Sequence, residues 1–76
     1  MQVIIYTKPG CVQCSATTRY LDDRGVQYVA ADVTADAAAL EAVQQLGYAA
    51  APVVVADGNH WSGFRPEKLD EIAGAA

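Results

Sequence analysis

The sequence predicts a single α/β domain, a four-stranded mixed sheet with helices on both faces in the order βαβαββα. Three observations predict it. Short β-branched apolar runs alternate with longer stretches of helix formers. Gly or Pro stands at most of the junctions between them. A chain of 76 residues has room for one core and no second, so residues 1–76 form one domain.

Gln2 to Tyr6 is apolar and β-branched, which predicts a mostly buried first strand. Thr7-Lys8-Pro9-Gly10 is the loop after it. Residues Cys11 to Arg24 read as a helix stopped by Gly25, which suits a left-handed cap; Cys14, Thr17 and Leu21 share its inner face. Gln27 to Ala31 reads as the second strand. Asp36 is an N-cap, and Leu40, Val43 and Leu46 make the apolar face of a second helix ending at Gly47. Pro52 to Val55 is a buried strand with proline at its first position, where the missing N–H is tolerated. Asp57-Gly58-Asn59 marks a hairpin turn, and His60 to Gly63 returns as a fourth strand. Pro66 starts the last helix at N1, with Leu69, Ile72 and Ala73 facing inward. The tail Gly74-Ala75-Ala76 is expected to fray. Helices between the first three strands imply crossovers, and the turn implies an antiparallel hairpin.

Composition excludes several functions. Five Lys and Arg against nine Asp and Glu give a net charge of −4. That argues against nucleic acid, which needs clustered cations, and against anionic membrane surfaces. The longest apolar run, Tyr48 to Ala56, is about half the ~20 residues a spanning helix needs. No secretory signal is visible behind Met1-Gln2. The chain is therefore read as complete and cytosolic, and its solubility and small surface suggest a monomer.

Both cysteines sit in Cys11-Val12-Gln13-Cys14. Two cysteines cannot make a multi-bridge framework, and a bridge closing so short a loop removes little unfolded-state entropy. Redox chemistry is the better reading. A Cys-x-x-Cys that follows a strand and opens a helix meets unpaired N–H groups and a partial positive charge, and both favour thiolate over thiol at Cys11. Lys8 adds positive potential, while Pro9 and Gly10 turn the loop and leave Cys11 accessible. Cys14 lies on the same side of the first turn, about 5–6 Å away at Cβ. Small adjustments bring that to the ~3.5–4.5 Å of a disulfide. Cys11 then attacks a disulfide on another protein, and the more buried Cys14 resolves the mixed disulfide. Zinc is the main alternative, but the chain offers only Cys11, Cys14 and His60 where four ligands are usual. An iron–sulfur cluster shared between two chains is a further one.

Other residues carry plainer readings. His60, alone beside a turn, reads as surface. Trp61 reads as structural, Phe64 as a contact residue, and Arg65 as a donor to loop carbonyls. Asp22-Asp23 and Glu67, Asp70, Glu71 are acidic groups on helix surfaces with no catalytic setting. For Ala51-Pro52 the general frequency of cis X-Pro bonds, about 5–6%, predicts trans.

The chain resembles the NrdH-redoxins, small glutaredoxin-like members of the thioredoxin-fold superfamily. The resemblance rests on Tyr6-Thr7-Lys8-Pro9 before the dithiol, Leu46-Gly47-Tyr48, Ala51-Pro52-Val53-Val54-Val55 and, most specifically, His60-Trp61-Ser62-Gly63-Phe64-Arg65-Pro66. It implies a thioredoxin-like fold with Pro52 in cis facing the dithiol. Ala51 would present its backbone to an incoming peptide like an added strand. Lys8, Val12, Gln13 and Phe64 would also meet the partner, and Trp61 and Arg65 would belong to a loop network. The implied function is a cytoplasmic dithiol electron carrier. It would reduce a cysteine pair in the large subunit of class Ib ribonucleotide reductase and be recharged by NADPH-dependent thioredoxin reductase. No cofactor would be bound: the Cys11–Cys14 disulfide carries the electrons, and NADPH and FAD belong to the reductase. The rival within the same fold is a glutathione-dependent glutaredoxin. Such proteins carry Cys-Pro-Tyr-Cys, Thr-Val-Pro and a Gly-Gly segment to hold glutathione. Here Cys11-Val12-Gln13-Cys14, Ala50-Ala51-Pro52 and Ser62-Gly63-Phe64 stand instead, which counts against a glutathione site. Ala50 also replaces a larger polar residue found in many NrdH-redoxins, so a side-chain hydrogen bond to the hairpin loop is expected to be lost.

Overall fold

The computed structural model describes residues 2–75. Its elements are β1 (Val3–Thr7), α1 (Val12–Asp23), β2 (Val29–Asp32), α2 (Ala37–Gln45), β3 (Val53–Ala56), β4 (Asn59–Ser62) and α3 (Pro66–Ala75). This is the expected βαβαββα order, with β1 one residue and β2 two residues later at the start than the sequence pattern suggests. The strands lie in the order β2-β1-β3-β4. β1 runs parallel to β2 and antiparallel to β3, and β3 is antiparallel to β4.

Only α1 is a crossover between parallel neighbours. The link through α2 carries the chain past β1, and residues 46–52 return it to the end of the sheet where β1 finishes. Val53 therefore pairs with Tyr6, which brings the start of β3 beside the dithiol. Apolar patterning identifies a strand but carries no direction, so the reversal of β3 was not readable from it.

One face of the sheet holds the main core. Val3 and Ile5 of β1, Val54 and Ala56 of β3 and Trp61 of β4 pack under Leu21 of α1 and Leu69 and Ile72 of α3. These are alternate residues on paired strands (Ile5 opposite Val54, Val54 opposite Trp61), so the period-2 rule places them on one side. α2 contributes to the other side, where only Ala39 and Val43 of the helix are buried. Leu40 and Leu46, expected inward, are 41% and 36% exposed. A nine-residue helix covers a narrow strip, and the small Ala39 takes the inward position that the larger Leu40 had been assigned.

The helix ends are chemically specified. α1 stops in a paired cap: Gly25 N–H donates to the Asp22 carbonyl at 3.1 Å and Val26 N–H to the Leu21 carbonyl at 3.0 Å. Gly25 takes φ +69° there, which L side chains rarely adopt. Leu21 and Val26 meet in the core beneath it. α2 ends in the same two-bond pattern through Gly47 and Tyr48. At its start Asp36 accepts from Ala38 N–H at 3.0 Å and Ala39 N–H at 3.3 Å, the expected cap. Asp57 and Gly58 both have positive φ, 49° and 89°, the geometry a two-residue hairpin requires. α3 begins at Pro66 and runs on through Gly74, so that glycine is helical where a loose tail was expected; Ala76, the end of that tail, lies outside the described residues.

Asp32 closes β2 and organises the turn into α2. Its carboxylate accepts the Thr34 hydroxyl at 2.6 Å and the Thr34 N–H at 2.8 Å, and these bonds hold it below the ordinary aspartate range. A depressed carboxyl stabilises the fold above its unfolded pKa, and the contribution is lost as pH falls through the folded value. The gap in melting temperature between wild type and Asp32→Asn should therefore shrink between about pH 5 and pH 2. A gap that widens on acidification would contradict this assignment.

Candidate redox site

The site forms where β1, α1, β3 and the β4–α3 loop converge. Cys11 is the N-cap of α1, with extended backbone (φ −91°, ψ 109°). Its Sγ accepts the Cys14 N–H at 3.1 Å and lies 3.8 Å from the Ala51 carbonyl oxygen. Cys14 sits one turn on, with Cα atoms 5.2 Å apart, and the two are joined as a disulfide. That spacing is within the ordinary range for a bridge. The sulfurs differ in access: Cys11 is half-buried, whereas Cys14 is 4% exposed. The helix amide expected to favour a thiolate thus points at the more accessible sulfur.

The surroundings divide into two grooves. One, lined by Thr7, Pro9, Gly10, Ser15 and Thr18, runs past both cysteines. The other is an apolar pocket of about 230 Å³ bounded by Tyr6, Leu40, Val43, Tyr48 and Ala51. Lys8 is exposed and lines both. Val12, 83% exposed, projects from the dithiol loop. Ala51-Pro52 is cis, as the resemblance implies and against the expectation from the general frequency. Pro52 is buried, and its carbonyl accepts the Gly63 N–H at 2.8 Å. Beside it the Ser62 hydroxyl donates to the Ala50 carbonyl at 3.4 Å. The end of β4 is therefore joined to this segment through the backbone of Ala50, without a polar side chain there.

Phe64 packs partly against the core and stays half-buried, its ring edge-on to Tyr20. Its N–H donates to Gln13 Oε1 at 3.1 Å. Gln13, read from the sequence as a partner contact, is thus engaged inside the molecule. Trp61 is buried, with Lys68 Nζ 5.8 Å from the ring centroid. Arg65 Nε donates to the Ser62 carbonyl at 3.3 Å. His60 is away from the cysteines in partnership: it is exposed on β4, with Nδ1 2.8 Å from the Tyr48 hydroxyl. Among the described residues no three His, Cys, Asp or Glu side chains are grouped to hold a metal ion. No described helix is long and apolar enough to cross a membrane.

Sequence reasoning gave no structural role to Tyr48 or Tyr20 and passed over the pairing of Gly63 with Pro52. Tyr20 joins α1 to α3: its hydroxyl donates to Asp70, and Arg24 stacks 3.5 Å above its ring. The Asp70 carboxylate holds the Tyr20 phenol above its ordinary value. The i+7 spacing of Gln13 and Tyr20 on one helix was the available signal for a shared face.

Fold and site together define a thiol–disulfide oxidoreductase of thioredoxin-like fold. The glutaredoxin family model matches residues 3–61. The glutaredoxin-like protein NrdH of Escherichia coli K12 is 39% identical over 72 residues, covering 95% of this chain and 89% of that protein. The gene 56 protein of Mycobacterium phage D29 is 40% identical over 74 residues, covering 92% of this chain and 80% of its own length. The solved structure of the E. coli NrdH-redoxin, a protein described as thioredoxin-like in its activity profile, superposes with a TM-score of 0.91 at 39% identity, covering 95% of both chains. The chain belongs to the glutaredoxin family and, within it, to the NrdH-redoxins.

Proposed function

We propose that the chain is a cytoplasmic, monomeric dithiol electron carrier, reducing the large subunit of class Ib ribonucleotide reductase and recharged by NADPH-dependent thioredoxin reductase. The observation that carries the chemistry is the asymmetric pair: an accessible Cys11 sulfur at a helix amide, with Cys14 shielded behind it. The Cys11 thiolate attacks one sulfur of the substrate disulfide. A mixed disulfide forms, the substrate S–S bond breaks, and the departing sulfur takes up a proton. Cys14, losing its proton, then attacks Cys11 Sγ; the Cys11–Cys14 bond forms and the second substrate sulfur leaves. The substrate gains two electrons and two protons. The reductase returns two electrons and one proton from NADPH through its FAD, and solvent supplies the second proton, so the carrier needs no bound cofactor.

The partner assignment is supported by the identity to NrdH over nearly the whole chain and by the thioredoxin-like profile of the E. coli relative. Ala51 lies beside Cys11 with its carbonyl, where an extended peptide can add main-chain hydrogen bonds. A coupled assay of NADPH consumption tests the pairing. Thioredoxin reductase should drive reduction of the ribonucleotide reductase disulfide. Turnover driven by glutathione and its reductase alone would show the glutathione-dependent alternative to be right. Phe64, half-buried beside the dithiol loop, is assigned to the docking surface. Phe64→Ala should cost about 1–3 kcal/mol of docking, a rise of about 5- to 150-fold in KM for the reductase. An unchanged KM removes Phe64 from the interface.

A further inference from the structure

Gln13, Thr17 and Tyr20 follow one another along α1 at i, i+4 and i+7, a single stripe on the helix. Phe64 is gripped from this stripe at both ends. Its backbone N–H donates to Gln13 Oε1 at 3.1 Å, and its ring meets Tyr20 edge-on, centroids 5.8 Å apart at 71°. The Thr17 hydroxyl donates to the Gln13 carbonyl at 2.8 Å and so fixes the backbone from which Gln13 reaches out. Gly63 has φ +88°, a conformation an L side chain would strain; a Cβ there would stand 3.4 Å from Gln13 Oε1, an ordinary contact. Gly63 N–H is bonded in turn to the Pro52 carbonyl, and Ala51 faces Cys11. The contacts close a ring from Cys11 through Ala51-Pro52 and Gly63-Phe64 to Gln13, two residues from where it began.

We propose that Gln13 is a positioning residue: its amide oxygen fixes the Phe64 backbone relative to Cys11, so that the docking side chain and the nucleophile meet a partner as one preorganised unit. The proposal rests on the reading of Phe64 as a partner contact. Without the acceptor, the Gly63-Phe64 segment must be ordered at each docking event. That cost falls on association, and so on KM more than on kcat.

The test compares wild type with Gln13→Leu, which keeps bulk and removes the acceptor, and Gln13→Glu, which keeps an acceptor oxygen. Phe64→Ala and the Gln13→Leu/Phe64→Ala double variant complete a cycle. Amide exchange at Phe64 in the reduced protein is read by NMR, and KM and kcat are read with thioredoxin reductase. Gln13→Leu should speed Phe64 exchange about tenfold or more and raise KM about fivefold, mainly without loss of kcat. Gln13→Glu should restore slow exchange, which separates the lost bond from any general loosening of the fold. The double variant should have the KM of Phe64→Ala alone. Wild-type exchange and KM in Gln13→Leu, with KM raised in Phe64→Ala, overturns the role of Gln13 and leaves the docking reading standing. A double variant whose KM rises by the full product of the two single effects also overturns the coupling. A wild-type KM in Phe64→Ala overturns the docking reading itself, and this proposal with it.

Discussion

Cys14→Ser should stall the protein as a covalent adduct with its partner, and Cys11→Ser should abolish disulfide reduction. The two effects follow from the geometry of one helical turn. Cys11 caps α1, and its sulfur accepts the Cys14 N–H at 3.1 Å, a bond retained in the serine variant at position 14 because the donor is backbone. Cys14→Ser therefore leaves the attacking sulfur in the same electrostatic setting and removes only the second nucleophile. The mixed disulfide forms, and nothing in the protein displaces the partner. Cys11→Ser leaves a hydroxyl where a thiolate is needed. The remaining Cys14 is 4% exposed and cannot meet a protein disulfide. Turnover should fall on the order of a thousandfold or more. Non-reducing electrophoresis and intact mass read the outcome after incubation with an oxidised partner, including partners captured from cell extract. An adduct recovered from Cys11→Ser instead would reverse the roles of the two sulfurs.

What the sequence showed and what it hid divide along a physical line. Features set by nearest neighbours were legible. Gly25, Asp36, Asp57-Gly58 and Pro66 each mark a boundary because their own backbone or side-chain chemistry requires it, and each stands where expected. The dithiol was legible for the same reason: strand, turn and helix start place Cys11 at the cap without help from the rest of the chain. Features decided by distant parts were hidden. The local preference for trans at an X-Pro bond is only about 0.5–1 kcal/mol, so contacts elsewhere choose the isomer, and only the resemblance gave cis at Ala51-Pro52. The direction of β3 depends on where residues 46–52 return the chain. The bond from Phe64 N–H to Gln13 joins positions 51 residues apart, and a glutamine at an exposed position reads equally well as a solvated side chain. The inward face of α2 was misread because Leu40 outweighs Ala39 in any hydropathy pattern, although the burial of Ala39 and Val43 shows that the available space decides.

Leu21→Ala should be among the most damaging single substitutions outside the dithiol, and its effect should reach the site. Leu21 is fully buried. It contacts Val26 below the C-terminal cap of α1 and shares the core with Ile5, Val54 and Leu69. Truncating a leucine of this kind costs about 2–5 kcal/mol, the spread reflecting how far neighbours close the cavity. A domain of this size holds about 4–11 kcal/mol in total, so much of the stability goes, and the melting temperature should fall by about 10–40 °C. Leu21 shares the inner face of α1 with Cys14 and Thr17, which ties helix docking to the shielding of the Cys14 sulfur. In the reduced variant Cys14 should lose its protection from alkylation while Cys11, already accessible, changes little. Leu40→Ala is the matched control: the same truncation at a side chain 41% exposed should cost under about 1 kcal/mol. Should the two substitutions prove equally costly, the outer face of α2 is covered in solution by a second copy or another surface, and the proposed monomer gives way to an assembly.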